Sequence, residues 1–274
     1  MVGETEIAIL AVAMLGSGIF AGVLAGLLGV GGGIVIVPVL EWVFELLGVP
    51  AEIRMHLAVG TSLAIIIPTS ISSARAHYAR DAVDVSIAKR WSPFIVLGTV
   101  IGIIIASRVE GNVLTGVFGV VAFIVAVKMI LPFDGRTLTS DVPRGALTAT
   151  IPTVIGTIST MMGIGGGSLT VVTLTLMSQP IHRAVGTSAL FGLVISIPAS
   201  IGFVYAGWGN DMLPYGSFGF VNLIGFLLIA PTTVLAAPLG ARIAHALSRR
   251  ILGLLFGLFL FLVSTRMMWQ TFSP

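Results

Sequence analysis

Two glycine clusters, each set between apolar runs, constrain this chain more than anything else in it. Gly29-Val30-Gly31-Gly32-Gly33 is the first, and Gly163-Ile164-Gly165-Gly166-Gly167 repeats the device in the second half. The surrounding sequence belongs in lipid. Of 274 residues, 56% are hydrophobic and only 9% charged, whereas soluble domains are about a quarter charged. In a bilayer an unpaired backbone group costs several kcal/mol, so irregular backbone persists only where it is buried in protein or lines a cavity. Two such breaks at corresponding places point to a binding site built from broken helices.

Taken in order, apolar runs fall at 7–28, 34–47, 56–74, 92–107, 112–131, 145–162, 168–178, 183–205, 218–241 and 251–269. With about 20 residues per crossing, they predict an all-α integral membrane protein of about 8–10 membrane helices. Pro68 is expected to interrupt the third run, and the charged stretch 75–90 reads as a loop. Gly207 to Gly216 reads as a polar turn. Residues 168–178 rise only about 16 Å, roughly half the hydrocarbon thickness, so each glycine cluster is expected to join a helix pair that turns inside the membrane. Full spans have the same parity and remain an alternative. The N-terminus carries Glu4 and Glu6 and no basic run, so a cleaved leader is not expected.

The two halves share more than hydropathy. Ala58-Val59-Gly60-Thr61-Ser62 recurs as Ala184-Val185-Gly186-Thr187-Ser188, with His56 and His182 each two residues ahead. This predicts an internal duplication. A first transmembrane repeat covers 1–131, a cytoplasmic linker 132–143 and a second repeat 144–274, all within one membrane unit. If Arg75, Arg80, Lys89, Arg90, Lys128, Arg136, Arg144, Arg183, Arg242, Arg249 and Arg250 face the cytoplasm, only Arg54, Arg108 and Arg266 fall outside. That bias orients the chain in an inner membrane with both termini outside. It also places 75–90 and 207–216 on opposite faces, so the repeats are inverted.

The glycines at 18, 22, 26, 98 and 102 read as small faces for close helix packing. The clusters call for more. Each precedes a short helix whose N-terminus carries unpaired N–H groups and about half a positive charge, a combination that binds anions. Gly31, Gly32, Gly33, Gly165, Gly166, Gly167 and Ser168 are therefore candidate binding residues. Thr61, Ser62, Thr187 and Ser188 are candidate hydroxyl donors. Arg54, His56, His182 and Arg183 lie at the entries to the pentapeptide helices, where they either attract anions or only anchor the interface. Glu41 and Glu45 are expected to be solvated at a helix end, and His77 and Asp84 to lie in a solvated loop.

The paired motifs Gly29–Pro38 and Gly163–Thr173, each followed by His-(Leu/Arg)-Ala-Val-Gly-Thr-Ser, resemble the TauE/SafE sulfite exporter family over nearly the whole chain. The resemblance implies an inner-membrane carrier that exports sulfite or small organosulfonates. It further implies that Gly31–Gly33, Gly165–Gly167 and the Thr-Ser pairs face the substrate. The repeats are unequal: Ser168 stands where the first has Ile34, and Thr173 where it has Pro38.

Other function classes fit less well. The formal charge of +3 does not signal nucleic acid, because no segment gathers Lys and Arg on one solvated face. An intramembrane enzyme needs a motif such as His-Glu-x-x-His or Gly-x-Ser-x-Gly, and neither occurs; His56, His77, His182 and His245 are scattered. A cation carrier needs acidic residues at the midplane, and Glu41 stands alone. A dinucleotide-binding reading of the first cluster fails because it requires a strand before the glycines. No P-loop is present, so a secondary carrier is expected. Neither cofactor nor metal is expected, and the partners are a small anion and the bilayer. Proton or other ion coupling and oligomeric assembly are left open by the residues.

Overall fold

The computed structural model describes residues 4–28, 31–131, 146–243 and 249–272. Gly29, Val30, His245 and the linker expected at 132–143 lie outside the described residues. Among the described residues ten α-helices run in chain order: α1 (Glu4–Leu28), α2 (Gly33–Leu46), α3 (Ala51–Tyr78), α4 (Val85–Ala106), α5 (Gly111–Ile130), α6 (Ala146–Met162), α7 (Gly167–Leu176), α8 (Ile181–Ala206), α9 (Leu223–Ile243) and α10 (Arg249–Phe272). A small antiparallel hairpin, β1 (Ser217–Phe218) with β2 (Val221–Asn222), lies just before α9.

The molecule is an all-α membrane protein. Among the described residues, α3, α4, α5, most of α8 and Leu223–Gly240 of α9 are each long and apolar enough to cross a bilayer. Their outward side chains are lipid-like: Leu97 and Ile104 on α4, Ile124 on α5, and Leu227 and Leu235 on α9 are exposed. Inward, small residues let backbones meet. Gly98 lies against the Thr153 carbonyl, Gly22 against Thr233, and Gly240 against the Val23 carbonyl. Lipid tails are as apolar as leucine, so helices associate through such close packing and not through burial of grease. α2 and α7 differ from the spanning helices. At 14 and 10 residues they rise about 21 and 15 Å, short of the roughly 30 Å hydrocarbon layer.

The most extensive helix contacts join the first five helices to the last five. α1 packs along α9 and α6 along α4, while α3 packs on α8 and α5 on α10. In the register that the repeated pentapeptide suggests, with α1 matched to α6 and α4 to α9, the first two would be a single packing used twice. The other two would unite an element with its own counterpart. Each half is thus completed by a helix of the other.

Two expectations are corrected. Pro68 does not interrupt α3, which runs unbroken from Ala51 to Tyr78. In lipid a lost proline N–H is cheaper than an open backbone, so membrane helices carry proline internally. The stretch 75–90 is not a loop either: α3 and α4 leave only 79–84 between them. Arg75, Arg80, Lys89 and Arg90 are nonetheless exposed on the helix ends and the turn. The polar turn expected from Gly207 to Gly216 is present and leads into the hairpin, whose short strands carry too little periodicity to be read from sequence.

Candidate functional site

Both glycine clusters fold in the same way. The N-cap of α2 is Gly32 at φ 78° and ψ −10°, and that of α7 is Gly166 at φ 77° and ψ −9°. Preceding them, Gly31 and Gly165 also have positive φ, at 70° and 61°. Left-handed backbone strains residues with a Cβ, so the turn selects glycine. Neither N-cap offers a side-chain acceptor to the helix behind it, which leaves first-turn N–H groups available. Those turns are deep inside: Gly33, Ile34 and Val35 of α2 and Gly167 and Ser168 of α7 are all buried.

The two turns meet. A Cβ on Gly33 would collide with the Gly163 carbonyl and stand 2.8 Å from Ile164 Cα. Ile66 of α3 is wedged between them, with its Cγ2 3.1 Å from a Cβ position on Gly31 and 2.9 Å from one on Gly165. Ser62 Oγ donates to the Gly163 carbonyl at 2.8 Å, tying α3 to the second turn. Ser188 Oγ donates to the Val185 carbonyl within α8.

The threonines of the pentapeptides make crossed latches. Thr61 of the first repeat accepts the backbone N–H of Asn222, in the connection before α9, at 2.9 Å. Thr187 of the second accepts the N–H of Asp84, in the connection before α4, also at 2.9 Å. The preceding glycines allow the contact, since a Cβ on Gly60 would strike the Phe220 carbonyl and one on Gly186 the Ala82 carbonyl. Asp84 and Asn222 also occupy equivalent posts. The Asp84 carboxylate accepts from the Ile87 N–H at the start of α4, and Asn222 Oδ1 accepts from the Gly225 N–H at the start of α9. Asp84 is thus a helix cap within a latch, not a freely solvated loop residue.

The flanking charged residues do not gather around the glycine turns. His56 is buried, its Nε2 within 3.0 Å of the Ala106 carbonyl and 3.1 Å of the Val109 carbonyl. Carbonyls only accept, so the ring carries its proton on Nε2 and closes the C-terminal end of α4. Phe220 stacks on it at 5.2 Å. His182 and Arg183 are exposed. Arg54 pairs with Glu41 at 3.1 Å and Glu45 at 3.6 Å, and Arg266 reaches Glu45 at 3.2 Å. Glu41, expected to be solvated at a helix end, is instead buried and committed to Arg54. His77, expected in a solvated loop, is buried in the last turns of α3 with Nε2 3.2 Å from the Gly26 carbonyl.

Further polar atoms surround the turns; of these Ser168 is expected from the sequence at the binding site, and Ser70, Ser159 and Ser196 are not. Ser70, Ser159, Ser168 and Ser196 are buried with hydroxyls that have no partner among the described residues. The duplication held a signal for two of them: Ser70 and Ser196 each stand eight residues beyond the pentapeptide serine, Ser62 or Ser188. No group of three or more His, Asp or Glu that could hold a metal ion occurs among the described residues.

A family model described as Sulfite exporter TauE/SafE matches residues 14–267. A protein of Haemophilus influenzae named "Probable membrane transporter protein" is 34% identical over 252 residues, covering 91% of this chain and 95% of that one. Proteins with corresponding names in Bacillus subtilis and Methanocaldococcus jannaschii are 25% and 24% identical, covering 92% and 89% of this chain and 95% and 90% of their own lengths. No solved structure matches the chain.

Proposed function

The chain belongs to the TauE/SafE sulfite exporter family and is a multi-pass membrane transporter of that type, and from this premise we propose that it carries a small sulfur oxyanion, sulfite or an organosulfonate, outward across the inner membrane. The observation that carries the reading is the meeting of two uncapped, glycine-led helix N-termini in the buried interior. Such ends favour negative charge without a fixed cation. Among the described residues no Lys or Arg is buried. Neutral donors suit a carrier, because binding must be weak enough for release.

Transport proceeds by alternating access, with the two inverted repeats rocking about the paired turns. The latches of Thr61 on Asn222 and Thr187 on Asp84 sit at the two connections between the halves, where such a motion makes and breaks contacts. The linker is cytoplasmic and both termini lie outside. Reconstituted in liposomes, the protein is expected to move sulfite or a sulfonate down an imposed ion gradient. Gly32→Leu and Gly166→Leu are expected to abolish that flux. Absence of flux from the unsubstituted protein under every gradient would refute the proposal.

A further inference from the structure

We infer, resting on the carrier reading above, that of the two meeting N-termini it is that of α7 that supplies the side-chain donors to the anion, through the hydroxyls of Ser159 and Ser168 with Ser70 between the turns, while the α2 turn contributes backbone alone. Ser168 lies in the first turn of α7 and is 4% exposed. Ser159, in the last turn of α6, is fully buried, and its Oγ stands 3.5 Å from a Cβ position on Gly166. Ser70 of α3 is 1% exposed. Its Oγ occupies the place a Cβ on Gly192 would take, and Gly192 Cα stands 3.5 Å from a Cβ position on Gly165. None of the three hydroxyls has a partner among the described residues. A buried unpaired polar group is destabilising, and natural interiors contain few without a reason. Three of them around one uncapped helix N-terminus form a donor set awaiting acceptors.

The α2 turn lacks counterparts of Ser159 and Ser168. A Cβ on Gly32 would meet the Ala21 carbonyl at 2.8 Å and the Ala21 side chain at 3.3 Å. In the register of the two clusters, Ile34 stands for Ser168 and Ala25 for Ser159. Apart from the Ser70 Oγ, which lies between the two turns at 3.7 Å from a Cβ position on Gly31, the α2 turn is therefore lined with methyl groups and occupied backbone. At α7 the ligand is an anion with several acceptor oxygens on one centre, able to take hydroxyl and amide donors from different directions. A halide, with a single acceptor atom, uses the set poorly.

The test measures sulfite, thiosulfate, an organosulfonate and chloride binding to the detergent-purified full chain by ligand-dependent melting and calorimetry, with proteoliposome flux in parallel. Ser70→Ala, Ser159→Ala and Ser168→Ala are compared with Ser200→Ala, another buried unpartnered hydroxyl, on α8 eight residues beyond Gly192. Each of the first three is expected to weaken oxyanion binding roughly ten- to a hundredfold, the effect of losing one hydrogen bond to a charged group. Ligand-free melting stays unchanged or rises, because no existing bond is removed. Ser200→Ala keeps wild-type affinity. Wild-type affinity in all three variants would overturn this site and leave the carrier reading standing. Weaker binding accompanied by an equal loss of ligand-free stability would also overturn it, by marking the serines as structural. A wild-type protein that neither binds nor moves any of these anions would overturn both.

Discussion

At Gly32 and Gly166 one methyl group is enough to probe the turns. Alanine at φ near +77° costs about 1–2 kcal/mol in backbone strain alone, and at Gly166 its Cβ would also collide with Ile195 Cδ1. Gly166→Ala is therefore expected to lower the melting temperature of the purified protein and its flux together. The buried pair gives a second prediction. Arg54→Ala leaves Glu41, whose side chain is 7% exposed, without its partner at 3.1 Å, and a loss on the order of 3 kcal/mol is expected. Arg266→Ala removes only a surface contact to Glu45, worth about 0–1 kcal/mol, so the two melting curves should separate clearly. The glycines were legible because few residues tolerate that backbone. The partners of Glu41 and His56 were not, since Arg54 and the Ala106 carbonyl approach through tertiary packing that no local spacing encodes. Ser159 was hidden for the same reason.

Between elements, the latches give the clearest measurement. Thr61→Val keeps the shape of the side chain but removes the acceptor of the Asn222 N–H, and leaving a buried N–H unpaired costs about 1–3 kcal/mol. Thr187→Val acts on Asp84, which is less buried, and is expected to destabilise less. Chemical denaturation of the two variants checks the order. Thr61→Ser should restore most of the loss. The positions of the helices were readable from apolar runs of bilayer length, but their ends were not. Pro68 would break a helix in water but is carried inside α3 here. The charges of 75–90 mark a solvated stretch but not a break, and sit on the helix ends and the turn at the rim. The pentapeptide was visible as a repeat, yet its grip on the opposite half became visible only once Gly60 and Gly186 stood against the Phe220 and Ala82 carbonyls.

For the molecule as a whole, the absence of cysteine from the sequence makes orientation directly measurable. Single cysteines replacing Asp81 and Asp211 are expected to react with an impermeant thiol reagent from opposite faces of the membrane, Asp81 from the cytoplasm. Reaction of both from one face would refute the inverted arrangement. The exchange of helices between halves, α1 to α9 and α6 to α4, also bears on how the chain is made. A nascent chain that has just released α5 from the ribosome holds Asp84 without Thr187, Thr61 without Asn222, and α1 and α4 facing lipid where protein will later lie. Membrane insertion must therefore pass through a stage in which the first half waits, incomplete, for the second to be translated.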